Sequence, residues 1–204
     1  TNATQAVNKS DQEKDVSNGL SARMLRASLY AKQRDFAAAI KDCSTVIELS
    51  SKAEPVAALK TAAKGQHAMA LMLRAECYQQ THKLTEAMND INQVIKQNPD
   101  LIVPFETRGT IYLASGKQYK EAVADFSKVL KSNPNLDKAR MGRAEAYGAL
   151  KQYKAAIQDY SAVIDKSPKD ANDAYTSRAR IYKILHEDKK AAADLVKAHQ
   201  SLPD

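Results

Sequence analysis

A period of 34 to 35 residues runs through the chain and limits its fold more than any other feature. The clearest unit is Leu136 to Pro168, LDKARMGRAEAYGALKQYKAAIQDYSAVIDKSP, which reads as two amphipathic helices joined by a short polar turn. Aligning the chain on this stretch gives five copies, near 20–53, 68–101, 102–136, 137–171 and 172–204. One such helix pair cannot bury its own apolar face, so repetition at this period predicts a stacked helical solenoid. Composition agrees. Apolar residues make up 44% of the chain, Trp is absent, and there are only 6 Gly and 6 Pro, a balance that favours helix over sheet. The expected fold class is all-α.

The copies share specific residues. A small residue recurs in each first helix, at Ala27, Ala75, Gly109, Ala144 and Ala179, and three positions later comes Tyr30, Tyr78, Tyr112, Tyr147 or Tyr182. A second small residue opens each second helix, at Ala39, Ala87, Ala122, Ala156 and Ala191. Proline closes four copies (Pro99, Pro134, Pro168, Pro203), with Ser51 in that place in the first. Small residues let antiparallel helices approach closely, the aromatic fills the adjacent gap, and proline stops the second helix because it lacks an N–H. The three Phe and nine Tyr all fall at four repeat phases. In this pattern the chain resembles the tetratricopeptide repeat (TPR) family over about nine-tenths of its length. The resemblance implies a right-handed α-solenoid of about five helix-turn-helix repeats that binds other proteins and is not an enzyme.

Several segments depart from a regular array. Residues 1–19 form a polar lead, poor in large apolar groups and expected to be flexible. Its start at Thr1 points to a processed or truncated N-terminus, as in an exported bacterial periplasmic protein or lipoprotein, with a cytoplasmic setting as the alternative. The third copy has one extra residue in its turn, near Ser115-Gly116-Lys117. Between copies one and two lie about fourteen further residues, Glu54 to His67, read as an extension of the next first helix or as a separate short helix ended by Gly65. The last helix is polar enough to cap the array.

Arginine precedes the first small residue in every copy (Arg26, Arg74, Arg108, Arg143, Arg178), and Asp recurs in every second helix (Asp42, Asp90, Asp125, Asp159, Asp194). The spacing is sixteen residues, or seventeen in the copy with the longer turn. A planar guanidinium can bind a carboxylate through two hydrogen bonds, so this pattern predicts a structural ladder in which each Asp pairs within its own repeat or with the following one.

In the TPR family the first helices line a concave groove that holds peptides. The resemblance assigns to it Met24, Met69, Met72, Glu76, Glu106, Thr110, Lys138, Met141, Glu145, Arg180 and Lys183. Methionine suits adaptable apolar recognition, and a row of glutamates favours a basic segment, so an apolar or basic peptide is the expected partner. The Lys/Asn clamp of chaperone-binding TPR proteins is not matched, since Met24, Ser28 and Leu73 occupy its positions. The alternative reading is self-assembly, a homo-oligomer formed through the terminal helix and the 54–67 segment.

Other chemistry finds little support. The four histidines show no metal-ligand spacing, and no nucleophile set or phosphate loop is present, so neither cofactor nor catalysis is expected. The net charge of +7 permits nucleic acid, but the lysines are scattered and the aromatics belong to the repeat core, so nucleic acid is not an expected partner. No apolar run approaches the roughly 20 residues that span a bilayer, so membrane insertion is not expected either. Cys43 and Cys77 fall on neighbouring helices and are expected as buried free thiols, with a disulfide as the alternative in an oxidising compartment.

Overall fold

The structure, a computed structural model, describes residues 19–52, 57–166, 168 and 171–200. The polar lead before Gly19 and the closing residue Pro203 lie outside them. The described residues form helices and turns only: α1 (19–32), α2 (Phe36–Lys52), α3 (Ala57–Gln80), α4 (Leu84–Gln97), α5 (Val103–Ser115), α6 (Tyr119–Ser132), α7 (Asp137–Ala149), α8 (Tyr153–Lys166), α9 (Asn172–Ile184) and α10 (Asp188–Gln200). They fall into two compact units, within Thr1–Asp100 and Leu101–Asp204.

Each helix buries one stripe. In α6 the buried set is Ala122, Asp125, Phe126, Val129 and Leu130, the i, i+3, i+4, i+7, i+8 pattern of a one-faced helix. The helix ends where the Asn133 N–H bonds the Val129 carbonyl at 2.8 Å, directly before Pro134. Every small residue of the repeat pattern is buried, from Ala27 and Ala39 in the first pair to Ala179 and Ala191 in the last. In the first unit Leu20, Met24 and Ala27 of α1 pack on Cys43 and Val46 of α2 and Ala70 of α3. In the second unit α5/α6, α7/α8 and α9/α10 form three helix pairs, α6 packs on α7 and α8 on α9, and the first helices α5, α7 and α9 lie side by side.

The turns inside the pairs share a feature that composition hides. The eighth residue after the ladder arginine is left-handed in all five, at Arg34, His82, Gly116, Lys151 and His186, with φ between 58° and 69°. This backbone ends a helix by letting the next N–H reach back five residues, as Asp35, Lys83, Gln152 and Glu187 do to Tyr30, Tyr78, Tyr147 and Tyr182 at 2.8–2.9 Å. The third turn, one residue longer, uses a glycine there, and the Ser115 hydroxyl donates to the Tyr112 carbonyl instead at 2.7 Å. Side chains other than glycine cost about 1–2 kcal/mol in this conformation. They persist because both flanking helices are fixed by packing.

The arginines and aspartates pair within each repeat. Nε and Nη2 of Arg26, Arg74, Arg108, Arg143 and Arg178 donate to both oxygens of Asp42, Asp90, Asp125, Asp159 and Asp194, at 2.7–2.9 Å throughout. The remaining Nη1 of Arg74, Arg143 and Arg178 reaches back to the preceding repeat, donating to Ser44, Ser127 and Ser161 at 2.9, 3.2 and 2.7 Å. Each serine stands two residues after its own aspartate, so one guanidinium joins two repeats. The same groups lie over Tyr78, Tyr112, Tyr147 and Tyr182 at 5.8–5.9 Å, which explains the recurring tyrosine four positions on. All five aspartates are buried, and the Arg26 guanidinium holds the Asp42 carboxyl below the usual carboxylate range.

Of the segment between the first two copies, Glu54, Pro55 and Val56 lie outside the described residues and the rest enters α3, which is continuous from Ala57 through Gly65 to Gln80. The segment's last residue, His67, is only 9% exposed and ties three helices together. Ser50 of α2 donates to the Ile47 carbonyl at 3.1 Å, so its oxygen accepts the His67 Nδ1–H at 2.9 Å. The Gln93 amide of α4 approaches Nε2 at 3.3 Å as donor. This arrangement uses the neutral ring. Cys43 and Cys77 are buried free thiols, and burial pushes them up to about 12 and about 11.

Two outcomes follow from this packing. Asp125→Asn should cost about 3 kcal/mol, because it leaves the Arg108 guanidinium partly buried without its carboxylate; denaturant unfolding with an unchanged midpoint would contradict the ladder. Burial also pushes the His67 ring below its ordinary range, outweighing the Ile47 backbone carbonyl and the Asp90 carboxylate and reinforced by Arg74. The unfolded chain therefore binds the proton more readily, and the stability His67 contributes is full above about pH 6.5 and lost as pH falls below it. His67→Gln should flatten the decline in melting temperature over that acidic range, which thermal scans at stepped pH would measure.

Candidate functional site

The second unit carries a pocket of about 470 Å³ on the side formed by its first helices. Thr110 and Leu113 of α5, Lys138, Met141 and Glu145 of α7, and Arg180, Ile181 and Ile184 of α9 line it. Phe126 of α6 and Tyr160 of α8 reach it from beneath. These two stand directly after the ladder aspartates Asp125 and Asp159, so the rungs set the height of the floor. Tyr160 is buried and its hydroxyl bonds Ser177; burial pushes the phenol above its ordinary range.

One glycine shapes this floor. The residue before the ladder arginine is Leu25, Leu73, Thr107, Gly142 or Ser177 in successive repeats. A Cβ at Gly142 would lie 2.6 Å from the tip of the Phe126 ring, and one at Gly109 would lie 3.0 Å from the same ring. Phe126 therefore fills the volume that two neighbouring helices leave vacant.

The sequence-derived groove residues separate into four groups. Thr110, Lys138, Met141, Glu145 and Arg180 are brought together around the pocket, and Glu106 joins them through an ion pair with Lys138 at 3.2 Å that spans α5 and α7. The Thr110 hydroxyl is committed to the Glu106 carbonyl at 3.0 Å. Lys183 is exposed on α9 but does not line the pocket. Met69, Met72 and Glu76 belong to the first unit, where Met69 is 57% exposed, Glu76 is exposed, and Met72 is half-buried against Ala68, Leu71 and Val94.

Met24 is a correction. It is 6% exposed, inside the core of the first unit, and cannot meet a partner. The reason lies in helix geometry: Met24 precedes the interface residue Ala27 by three positions and shares its face. Met72 and Met141 stand in the same relation to Ala75 and Ala144, and both are partly packed. The exposed apolar groups on α1 are instead Leu25 and Leu29. Leu113, Tyr160, Ile181 and Ile184 were missed in the second unit; Tyr160 could have been found from its place beside Asp159.

Three models of the tetratricopeptide repeat match residues 20–52, 69–100 and 107–171. The chain belongs to the tetratricopeptide repeat family. The last helix pair lies beyond the matched residues, yet carries the same Arg178–Asp194 rung. Solved structures of TPR proteins share the fold. MamA (41-end) from Desulfovibrio magneticus RS-1 is 14% identical over 90% of this chain and 94% of that one, with a TM-score of 0.76. YrrB, described as a TPR protein with an unusual peptide-binding site, is 20% identical over 89% of this chain and 86% of its own, with a TM-score of 0.69. A search of curated proteins finds no relative by sequence. Among the described residues no helix is long and apolar enough to cross a membrane, and no cluster of side chains could hold a metal ion.

The Gly142–Phe126 contact gives a sign test. Glycine to alanine in a helix normally stabilises by about 1 kcal/mol. Here Gly142→Ala should destabilise by about 1–2 kcal/mol, since overpacking against a fixed ring costs more than propensity returns. In a Phe126→Leu background the same change should become stabilising. Chemical denaturation of the four proteins of this double-mutant cycle measures both signs.

Proposed function

We propose that this TPR protein is a non-enzymatic interaction scaffold whose second unit holds an extended segment of a partner protein against α5, α7 and α9. The observation that carries this reading is the pocket of about 470 Å³ on those helices, floored by apolar groups and rimmed by polar ones. Such a surface is costly to leave wet and suits a ligand that brings apolar side chains. The peptide-binding site named for the structurally similar YrrB points the same way.

The expected row of glutamates does not operate as a row. Glu106 is neutralised by Lys138, and Glu76 lies in the other unit, so among the described residues Glu145 alone stands as an exposed carboxylate at the pocket. A strongly basic partner segment is therefore not favoured there.

The test is to select randomised short peptides on the full chain and map them by hydrogen exchange. Protection should concentrate on the pocket-facing turns of α5, α7 and α9. Protection confined to α6, α8 and α10, or failure to select any peptide, would refute the proposal.

A further inference from the structure

Building on that reading, we propose that the partner segment is anchored by one bulky, uncharged apolar side chain placed in the pocket between Met141, Ile181 and Ile184, with its main chain held by Glu145 and Arg180. The walls come first. Met141 is half-buried, Ile181 is buried, and Ile184 is 55% exposed at the pocket edge, where it presents a large aliphatic side chain to solvent. A space of about 470 Å³ has room for many waters. Those against apolar walls gain on release when an apolar group replaces them.

Charge then decides what kind of anchor fits. Lys138 is matched by Glu106, and the two remaining charges at the pocket, Glu145 and Arg180, are of opposite sign. A charged anchor would lose its water without gaining a net counter-charge. The polar groups beneath the rim are also satisfied internally: Thr110 bonds the Glu106 carbonyl, and Tyr160 bonds Ser177. Among the described residues Glu145 and Arg180 make no ion pair, leaving one acceptor and one donor. A peptide main chain, with its N–H and C=O, needs that combination. The partner is thus an extended segment, neutral around a single large apolar residue.

The probe is a series of fluorescein-labelled peptides, derived from one selected binder, in which the residue at the anchor is Leu, Phe, Ala, Asp or Lys. Anisotropy titration of the full chain should show Leu and Phe binding best, Ala about tenfold weaker, and Asp and Lys weaker again. Ile184→Lys, at an exposed site, should weaken the Leu peptide about tenfold while leaving the melting temperature unchanged. A photo-leucine anchor should crosslink to α7 or α9. Tight binding of the Asp or Lys peptide, or indifference to Ile184→Lys in a folded protein, would overturn the anchor assignment while peptide binding itself stands. If no peptide in the series binds or crosslinks, the scaffold reading falls with it.

Discussion

Each repeat depends on one arginine. Its guanidinium closes two hydrogen bonds onto an aspartate of its own second helix, in four repeats lies over a tyrosine one turn further on, and in three bonds a serine of the preceding second helix. Taken singly, a buried ion pair adds little net stability, because desolvation offsets attraction. What it supplies is register. Two charges that must meet through both oxygens and two nitrogens allow one rotation and one height for each helix pair. The small residues then permit the close approach that this register demands.

That constraint is also why so much of the fold was legible in the residues. Ala27, Ala39 and their counterparts are buried where only a small side chain fits, and Tyr30 and its counterparts lie partly buried beside them, so their periodicity is visible without coordinates. The left-handed turn residue was not legible. Arg34, His82, Lys151 and His186 share a backbone angle and a basic side chain, but basic residues are common throughout the chain and mark no turn, and the conformation is imposed by helices on either side. The groove was read partly out of phase for a related reason. Methionine is apolar enough for a groove and adaptable enough for a core, and at Met24 the helix face decides for the core.

The pocket also shows how a repeat pattern yields a site. Gly142 departs from the larger residues at its phase, and Phe126 departs from Cys43 and Ile91 at its own. Each is unremarkable alone. Together the missing side chain and the large ring exchange volume between helices, and the floor of the second unit becomes aromatic where the first unit has a thiol. The Glu106–Lys138 pair shows the opposite behaviour: two residues that look available in the sequence cancel one another across α5 and α7.

The rungs join residues only sixteen or seventeen positions apart, and the serine bonds reach no further than thirty. The strongest polar contacts are therefore all local. A chain whose contacts are local loses little loop entropy in forming them, so such helix pairs assemble quickly and from several starting points. The same economy limits cooperation over distance. Opening one rung exposes one helix pair and its neighbour, and the remaining pairs keep their own arginine and aspartate. Partial opening, confined to a pair at a time, is then the natural excursion of this molecule, and a bound segment lying across three pairs would be what makes them open and close together.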